Sequence, residues 1–405
     1  MELHYGNTLW DKTLFQDPSV ENLKLNKKAQ ILIVGAGMSG NLAAYILSKM
    51  NYKIIVIDKD QIGKGSSLAN TGLLQYWSDI MLWELAEQIG EKDAGLFYEM
   101  CLKSMYDLTK INSKLGNETG YVVSNSIYYA TDEGDVEKLE KEYEYLKKYN
   151  LPVEYISKGD LIKDYNINKP MALKTFQDAS VNPYKFINSL ATANKSRGVE
   201  YFEDTSIDLN SVKDNHLYTS DGYKIEFQNI IFATGYSHIY PVVEGKVEIN
   251  RTYAIASKQV RQLPWKDEVM FWETKDPYLY FRKSIDNRII IGGLDEEVDT
   301  VEKNKENLDK KSIELKDKFN ELVEGINIEI EYQWNALFGT SKDNLPFLGV
   351  DPNINNRYYI LGYEGNGTCY SLAGSRIIAD LIQGKKNPYS HIVNLNRPII
   401  TIKAN

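Results

Sequence analysis

The sequence predicts an α/β protein of two interleaved domains. One is built on a central parallel sheet with a β-meander; the other is an α+β unit on a largely antiparallel sheet. Three observations carry this reading. The stretch "ILIVGAGMSGNLAAYILSKMNYKIIVID", residues 31–58, runs strand, glycine-rich turn, helix, strand and acid, the order of one right-handed βαβ unit. The strand, Gly-rich turn, helix format returns in "RYYILGYEGNGTCYSLAGSRIIADLIQG", residues 357–384. Short strands punctuated by turns lie between them, in a chain of 405 residues that exceeds what one hydrophobic core usually serves.

Taken in order, residues 1–29 read as a polar N-terminal arm with scattered Trp10, Phe15 and Leu23, laid over the surface rather than forming core. Ile31 to Val34 is a β-branched strand ending in glycine, Met38 to Met50 is helix-compatible, and Lys53 to Ile57 is a second buried strand. Residues 63–72, "GKGSSLANTG", are a loop. Phe97, Met100, Ser104, Leu108, Ile111 and Leu115 recur at helical spacing, as do Val136, Leu139, Tyr143 and Leu146; these helices are expected on the second domain. From residue 180 a helix, a stop at Gly198 and a strand follow, then short strands turning at Asp221-Gly222. Residues 278–293, "YLYFRKSIDNRIIIGG", read as a hairpin around Asp286-Asn287. Lys303 to Val323 is a charged helix with Leu308, Ile313, Leu315, Phe319 and Leu322 on its buried side. The parallel-sheet domain thus takes residues 30–80, 180–240 and 340–390; the second domain takes 81–179 and 241–339, and 391–405 form a C-terminal tail.

Composition narrows the function. The chain is 43% apolar and 25% charged with mean hydropathy -0.41, ordinary for a soluble enzyme. No apolar run approaches the ~18 residues of a spanning helix, and the first 30 residues lack a secretory apolar segment. The expectation is a cytoplasmic protein without membrane insertion. A net charge of -9 turns the reading away from nucleic acid and toward a small-molecule substrate. Cys101 and Cys369 are far apart in sequence and offer no disulfide framework, which fits a reduced compartment. His4, His216, His238 and His391 show no metal-ligand spacing, so no metal site is expected.

The glycines Gly35, Gly37 and Gly40 are spaced G-x-G-x-x-G. In a Rossmann-like unit the first permits the tight turn, the second lets a pyrophosphate approach the backbone, and the third lets helix pack on strand. Phosphate would rest on the helix N-terminus, which makes Ala36, Met38 and Ser39 part of the site. Asp58, at the end of the second strand and next to Lys59, is placed to accept hydrogen bonds from ribose hydroxyls. The bare motif arises by chance in Gly-rich loops and does not separate NAD from FAD; strand, helix and acid at the expected offsets argue against chance.

Three further segments bear on the choice: "IDKDQIGKGSSLANTG" (57–72), "IIFATGYSH" (230–238), and "WNALFGTSKDNLPFLGV" (334–350) followed by the Gly-rich turn and helix from 362. Together with the opening motif they resemble the D-amino acid oxidase superfamily of FAD-dependent oxidoreductases, which contains glycine oxidase, sarcosine oxidase and gamma-glutamylputrescine oxidase-like enzymes. The resemblance spans about residues 29 to 386. It implies FAD as cofactor, with Ser66, Ser67, Asn70, Thr71 and Gly72 reaching the pyrophosphate and flavin edge. It also implies that Ala233, Thr234 and Gly235 run beside the cofactor, and that Gly362, Gly365, Asn366, Gly367 and Thr368 form the closing turn. A helix starting near Gly367 would favour the negative charge a flavin gains on accepting a hydride. No histidine or cysteine falls in "SSLANTGLLQYW", where some relatives attach flavin covalently, so the FAD is expected to be noncovalent.

The resemblance also implies a departure. Glycine oxidase-like members hold a substrate carboxylate with two arginines, and the matching positions here are Phe338 and Gly365. Arg282 and, second to it, Arg251 are the remaining anion candidates, each also readable as a surface or interdomain salt-bridge residue. Tyr76, Trp77, Tyr253, Tyr280, Trp334 and Tyr363 are candidates for an aromatic pocket suited to an amine cation. Lys258 and Lys283 read as solvated, His238 as a packed residue near the cofactor, and Cys369 as a packed residue at a helix start. The expected reaction is hydride transfer from the carbon next to an amine nitrogen, followed by imine hydrolysis, with electrons passing to oxygen or another carrier. The alternatives are C–OH oxidation, with His238 and Arg282 as base and anion site, or a non-catalytic flavoprotein subunit.

Overall fold

Every residue of Ile31–Val34 and of Ile54–Ile57 is buried, the signature of central strands covered on both faces. The two pair in parallel, Ile31 beside Ile54 and Val34 beside Ile57, and the helix Met38–Leu47 connects them. The computed structural model of the chain describes residues 2–13, 20–261 and 263–401; Phe15 lies outside them, as do residues 402–405 of the tail. The sheet holding these strands has six, in the order Phe347–Val350, Arg357–Leu361, Asn229–Phe232, Ile31–Val34, Ile54–Ile57, Glu200–Phe202. Only the edge strand Phe347–Val350 runs antiparallel to its neighbour. The helix Met38–Leu47 stops short of Met50. Ser48–Met50 tighten into a 3-10 turn, and Asn51 at φ 59° closes it, a left-handed conformation that asparagine tolerates. A three-stranded sheet of Lys27–Lys28, Lys224–Glu226 and His216–Tyr218 is separate from the six strands.

The second sheet has ten strands. Its path runs from His4–Asn7 through Ile330–Ser341, Val247–Ser257, Ile289–Glu296, Tyr280–Lys283, Val269–Glu273, Val122–Tyr129 and Met171–Ser180 to Leu73–Leu74, with Val153–Ser157 also pairing on Met171–Ser180. Its pairings are antiparallel except that of Val269–Glu273 with Val122–Tyr129. The hairpin of Tyr280–Lys283 and Ile289–Glu296 turns through Asn287 at φ 61°. Helix Lys305–Leu322 covers this sheet with Leu308, Ser312, Leu315 and Phe319. Ile313, expected on that side, is 50% exposed; five positions beyond Leu308 it points about 140° away around the helix.

The N-terminal residues are not a surface arm. His4–Asn7 pairs with Ile330–Ser341, covering an otherwise open sheet edge, and Leu3, Leu9, Trp10 and Leu23 are buried. The Trp10 indole N–H donates to the Asn70 carbonyl at 2.6 Å. The helices expected on the second domain, Glu91–Leu115 and Val136–Lys148, send their buried sides into the same core as Met38–Leu47 and Gly367–Ile382. Residues 63–72, expected as loop, contain the short helix Ser66–Ala69. The tail is anchored by Arg397, whose Nε and Nη2 reach the two Asp343 carboxylate oxygens at 2.7 and 2.8 Å. Among the described residues no helix is long and apolar enough to cross a membrane.

Candidate active site

The glycine turn is built by close approach. Gly35 takes φ +111°, where a side chain would be strained, and a Cβ there would lie 2.3 Å from the Ala233 carbonyl oxygen. A Cβ on Gly40 would lie 1.8 Å from the Gly35 oxygen, so the third glycine lets the helix back onto the turn. The helix Met38–Leu47 starts at Gly37 without a side-chain cap, leaving first-turn N–H groups without intrahelical acceptors. Asp58 is fixed at the strand end: its carboxylate accepts from the Ala36 N–H at 2.6 Å and the Asp60 N–H at 2.9 Å. Burial raises its pKa to about 6.

A second helix start faces the same space. Gly367–Ile382 begins after Asn366, which makes no side-chain cap; its amide instead donates to the Gln75 and Trp77 carbonyls at 2.6 and 3.0 Å. The Ser39 and Ser371 hydroxyls, 2.7 Å apart, tie the two helix starts together. A cavity of about 480 Å³ runs between them. All the cofactor residues expected from the sequence line it except Ala36, Gly40 and Gly72. Ala36 is engaged with Asp58, and Gly40 packs on Gly35. Gly72, at φ +77°, presses on the Val181 carbonyl and the Arg282 guanidinium. The Ser66 hydroxyl and the Gln75 amide nitrogen are buried on lining residues with no partner among the described residues. Uncapped helix starts, bare glycine backbone and orphaned donors fit a phosphate-bearing dinucleotide.

The substrate candidates divide. Tyr280, Phe338 and Tyr363 line the cavity, as do Trp77 and His238. Arg282 does not: it is buried and donates to the Thr71, Lys283 and Val181 carbonyls, so it braces the chain behind the pocket. Arg251 is paired with Glu296 at 2.6 Å, and Tyr253 donates to the same carboxylate at 2.9 Å. The Trp334 indole donates to the Ala69 carbonyl, and the Tyr76 hydroxyl to the Pro152 carbonyl. Lys258 and Lys283 form ion pairs with Glu329 and Glu268. Cys369 is fully buried, its Sγ 3.5 Å from the Cys101 carbonyl; the two cysteines are free neighbours despite their distance in sequence.

Three acids that sequence reasoning missed line the cavity: Asp79, Asp295 and Glu364. Asp79 accepts from the Gly365 N–H at 2.6 Å and from the Tyr278 hydroxyl at 3.1 Å, and burial raises its pKa. Burial likewise raises Asp295 to about 6, helped by the charge of Asp79 and opposed by a hydrogen bond from Thr252. Glu364, at φ 74°, accepts from the backbone and hydroxyl of Ser341, and its pKa is raised by burial and then by Asp79. Trp272 and Tyr278 join the lining beside Tyr280. A weak signal existed for Asp295, an acid closing the apolar run "IIIGGLD"; Asp79 carries none, since an aspartate in "WSDI" reads as a turn.

This arrangement of a parallel sheet, two helix starts and an antiparallel wall defines a dinucleotide-binding oxidoreductase. Residues 30–381 match the family described as DAO, FAD dependent oxidoreductase, and the chain belongs to that family. It is 24% identical to a Bacillus subtilis (strain 168) protein named as a Rieske 2Fe-2S iron-sulfur protein, YhfW, over 96% of this chain and 75% of that one. It is 20% identical to glycine oxidase of Geobacillus kaustophilus (strain HTA426) over 90% of this chain and 96% of the relative. The crystal structure of glycine oxidase from Geobacillus kaustophilus superposes with TM-score 0.78 at 20% identity, covering 92% of this chain and all of that one (100%). L-proline dehydrogenase from P.horikoshii gives 0.77 at 18% identity, over 92% and 98%.

Proposed function

We propose that this protein binds FAD noncovalently and oxidises an amine at the carbon next to nitrogen. One observation carries the reading: the cavity that seats the dinucleotide is walled by Asp79, Asp295, Trp272, Tyr278 and Tyr280, a surface suited to an amine and unsuited to a lone carboxylate. The N–H groups at the start of Met38–Leu47 would hold the pyrophosphate, and Asp58 the ribose hydroxyls. The bound FAD would accept a hydride from the substrate carbon, leaving an iminium that water converts to a carbonyl compound and the released amine. Gly367–Ile382 points its uncapped start at the cavity, where it favours negative charge. Phe338 and the aromatic wall exclude water from the reacting carbon and orient it, and such positioning supplies much of the rate enhancement.

C–OH oxidation would need an anion site beside a base; His238 lines the cavity, but Arg282 and Arg251 are committed elsewhere. The test is anaerobic flavin reduction by the purified holoenzyme across amines, N-methyl amino acids and 2-hydroxyacids. Bleaching by amines is expected; bleaching by hydroxyacids alone would overturn the reading. Acid precipitation should leave the flavin in the supernatant, whereas flavin retained in the pellet would refute noncovalent binding.

A further inference from the structure

The charge around the reacting end of the cavity is inverted relative to a carboxylate-binding site. Gly365 has no side chain, and the space that one would take is held by an acid. A Cβ there would meet the Asp79 carboxylate oxygens at 2.9 and 3.2 Å and the Tyr278 hydroxyl at 3.2 Å. Asp295 joins Asp79 on the lining, and one of its carboxylate oxygens is buried with no partner among the described residues. The charge of Asp79 acts on Asp295, and both acids act on Tyr278 and Tyr280; Tyr278 donates to Asp79 at 3.1 Å and its ring lies 5.8 Å from that of Tyr280.

Among the described residues no lysine or arginine pairs with either acid. Lys59 is the only lysine or arginine among the described lining residues, and it pairs with Asp60 at 2.9 Å, beside Asp58. Aromatic rings continue the surface: Trp77 and Trp272 meet edge to face at 5.8 Å, as do Trp272 and Tyr278 at 6.0 Å, and Tyr278 and Tyr280 lie tilted at 5.8 Å. Tyr363, 1% exposed, lines the same cavity with a hydroxyl that has no partner among the described residues and can accept from an N–H donor. Unpaired carboxylates amid aromatic faces and an open hydroxyl acceptor form the complement of an alkylammonium group.

We infer that the cavity selects a substrate with two cationic groups and no carboxylate, of the alkyl diamine class, whose distal ammonium is held by Asp79 and Asp295 against Trp272, Tyr278 and Tyr280. This rests on the amine-oxidation reading above and names its substrate class. The nitrogen at the reacting carbon gives its proton to solvent water before hydride transfer, while the distal nitrogen keeps its charge and is not consumed.

The test compares 1,4-diaminobutane, 1-aminobutane and 4-aminobutanoate as reductants of the holoenzyme flavin under anaerobic conditions. The apparent Kd for the diamine is expected to lie at least 30-fold below that of the monoamine, with the amino acid weakest. Asp295→Asn and Asp79→Asn should narrow the diamine-to-monoamine ratio to within threefold. Should Asp79→Asn fail to retain flavin, Asp295→Asn and Asp295→Ser carry the test. Equal affinity for diamine and monoamine in the unsubstituted enzyme, or a ratio unchanged in the variants, overturns the inference while leaving amine oxidation standing. If no amine reduces the flavin, the amine reading itself fails. Calorimetric titration with N,N,N,N′,N′,N′-hexamethyl-1,4-butanediammonium, which cannot be oxidised, then decides the dication site. Binding lost in Asp295→Asn supports it; no binding overturns it.

Discussion

A methyl group on Gly40 would stand 1.8 Å from the Gly35 carbonyl oxygen, inside any tolerable contact and against backbone that cannot rotate away. Gly40→Ala therefore forces the helix Met38–Leu47 off the turn that faces the cavity. The expected outcome is a loss of about 1–3 kcal/mol in stability and purification largely without flavin, read from the 450 nm absorbance and a urea melt. Flavin content equal to the unsubstituted protein would show that the helix start is not the phosphate seat. The turn at Gly35 and the close packing at Gly40 were legible because the motif is contiguous and its geometry local. Phe338 and Gly365 were legible too, as residues of the cavity lining. What stands over Gly365 was not: Asp79 lies nearly three hundred positions away, and no periodicity marks it.

Among elements, the helix Leu82–Ile89 shows how a charged-looking face can be deceptive. Glu142 of Val136–Lys148, embedded in "EKEYEYLKK", reads as a solvated residue, yet it is fully buried. Its carboxylate accepts from the Leu82 and Trp83 N–H groups at 2.9 and 3.2 Å. Burial raises its pKa from 4.5 to about 8. A folded value above the unfolded one means the native state holds the proton more tightly. This group's contribution is thus fully present below the unfolded value and is lost as pH rises through the window between 4.5 and about 8. Glu142→Gln should remove its own share of that slope, so that the stability lost between pH 5 and pH 8 in urea denaturation shrinks by a few kcal/mol, and what remains belongs to the other buried acids whose pKa values are raised, Asp58, Asp178 and Asp295. An undiminished slope would assign the pH dependence to those other acids, Asp178 foremost, raised to about 7 by burial in the antiparallel sheet.

Across the whole molecule, the glycine-rich part of the cavity is assembled largely from local motifs and its aromatic and acidic wall from residues far apart, and legibility follows that division. The strand order, the edge pairing of His4–Asn7 with Ile330–Ser341 and the cavity acids all depend on contacts that no window of sequence contains. Arg282 is the case where this misled: a lone arginine on a strand of the second sheet looks like an anion site. In the fold it holds the chain at Thr71 and Val181, between the sheet and the loop that lines the cavity. Burial lowers its pKa to about 9, and its hydrogen bonds to carbonyls, rather than a carboxylate partner, hold it in place. Arg282→Met removes the donors for three backbone carbonyls. The loss should be about 3–5 kcal/mol, since buried acceptors are left unmet. Because Thr71 lines the cavity, FAD should also dissociate at least tenfold more readily, seen as a smaller rise in Tm on adding FAD. The preference for diamine over monoamine in flavin reduction should persist, because Asp79 and Asp295 are untouched. A variant that melts normally but loses that preference would return Arg282 to the substrate site.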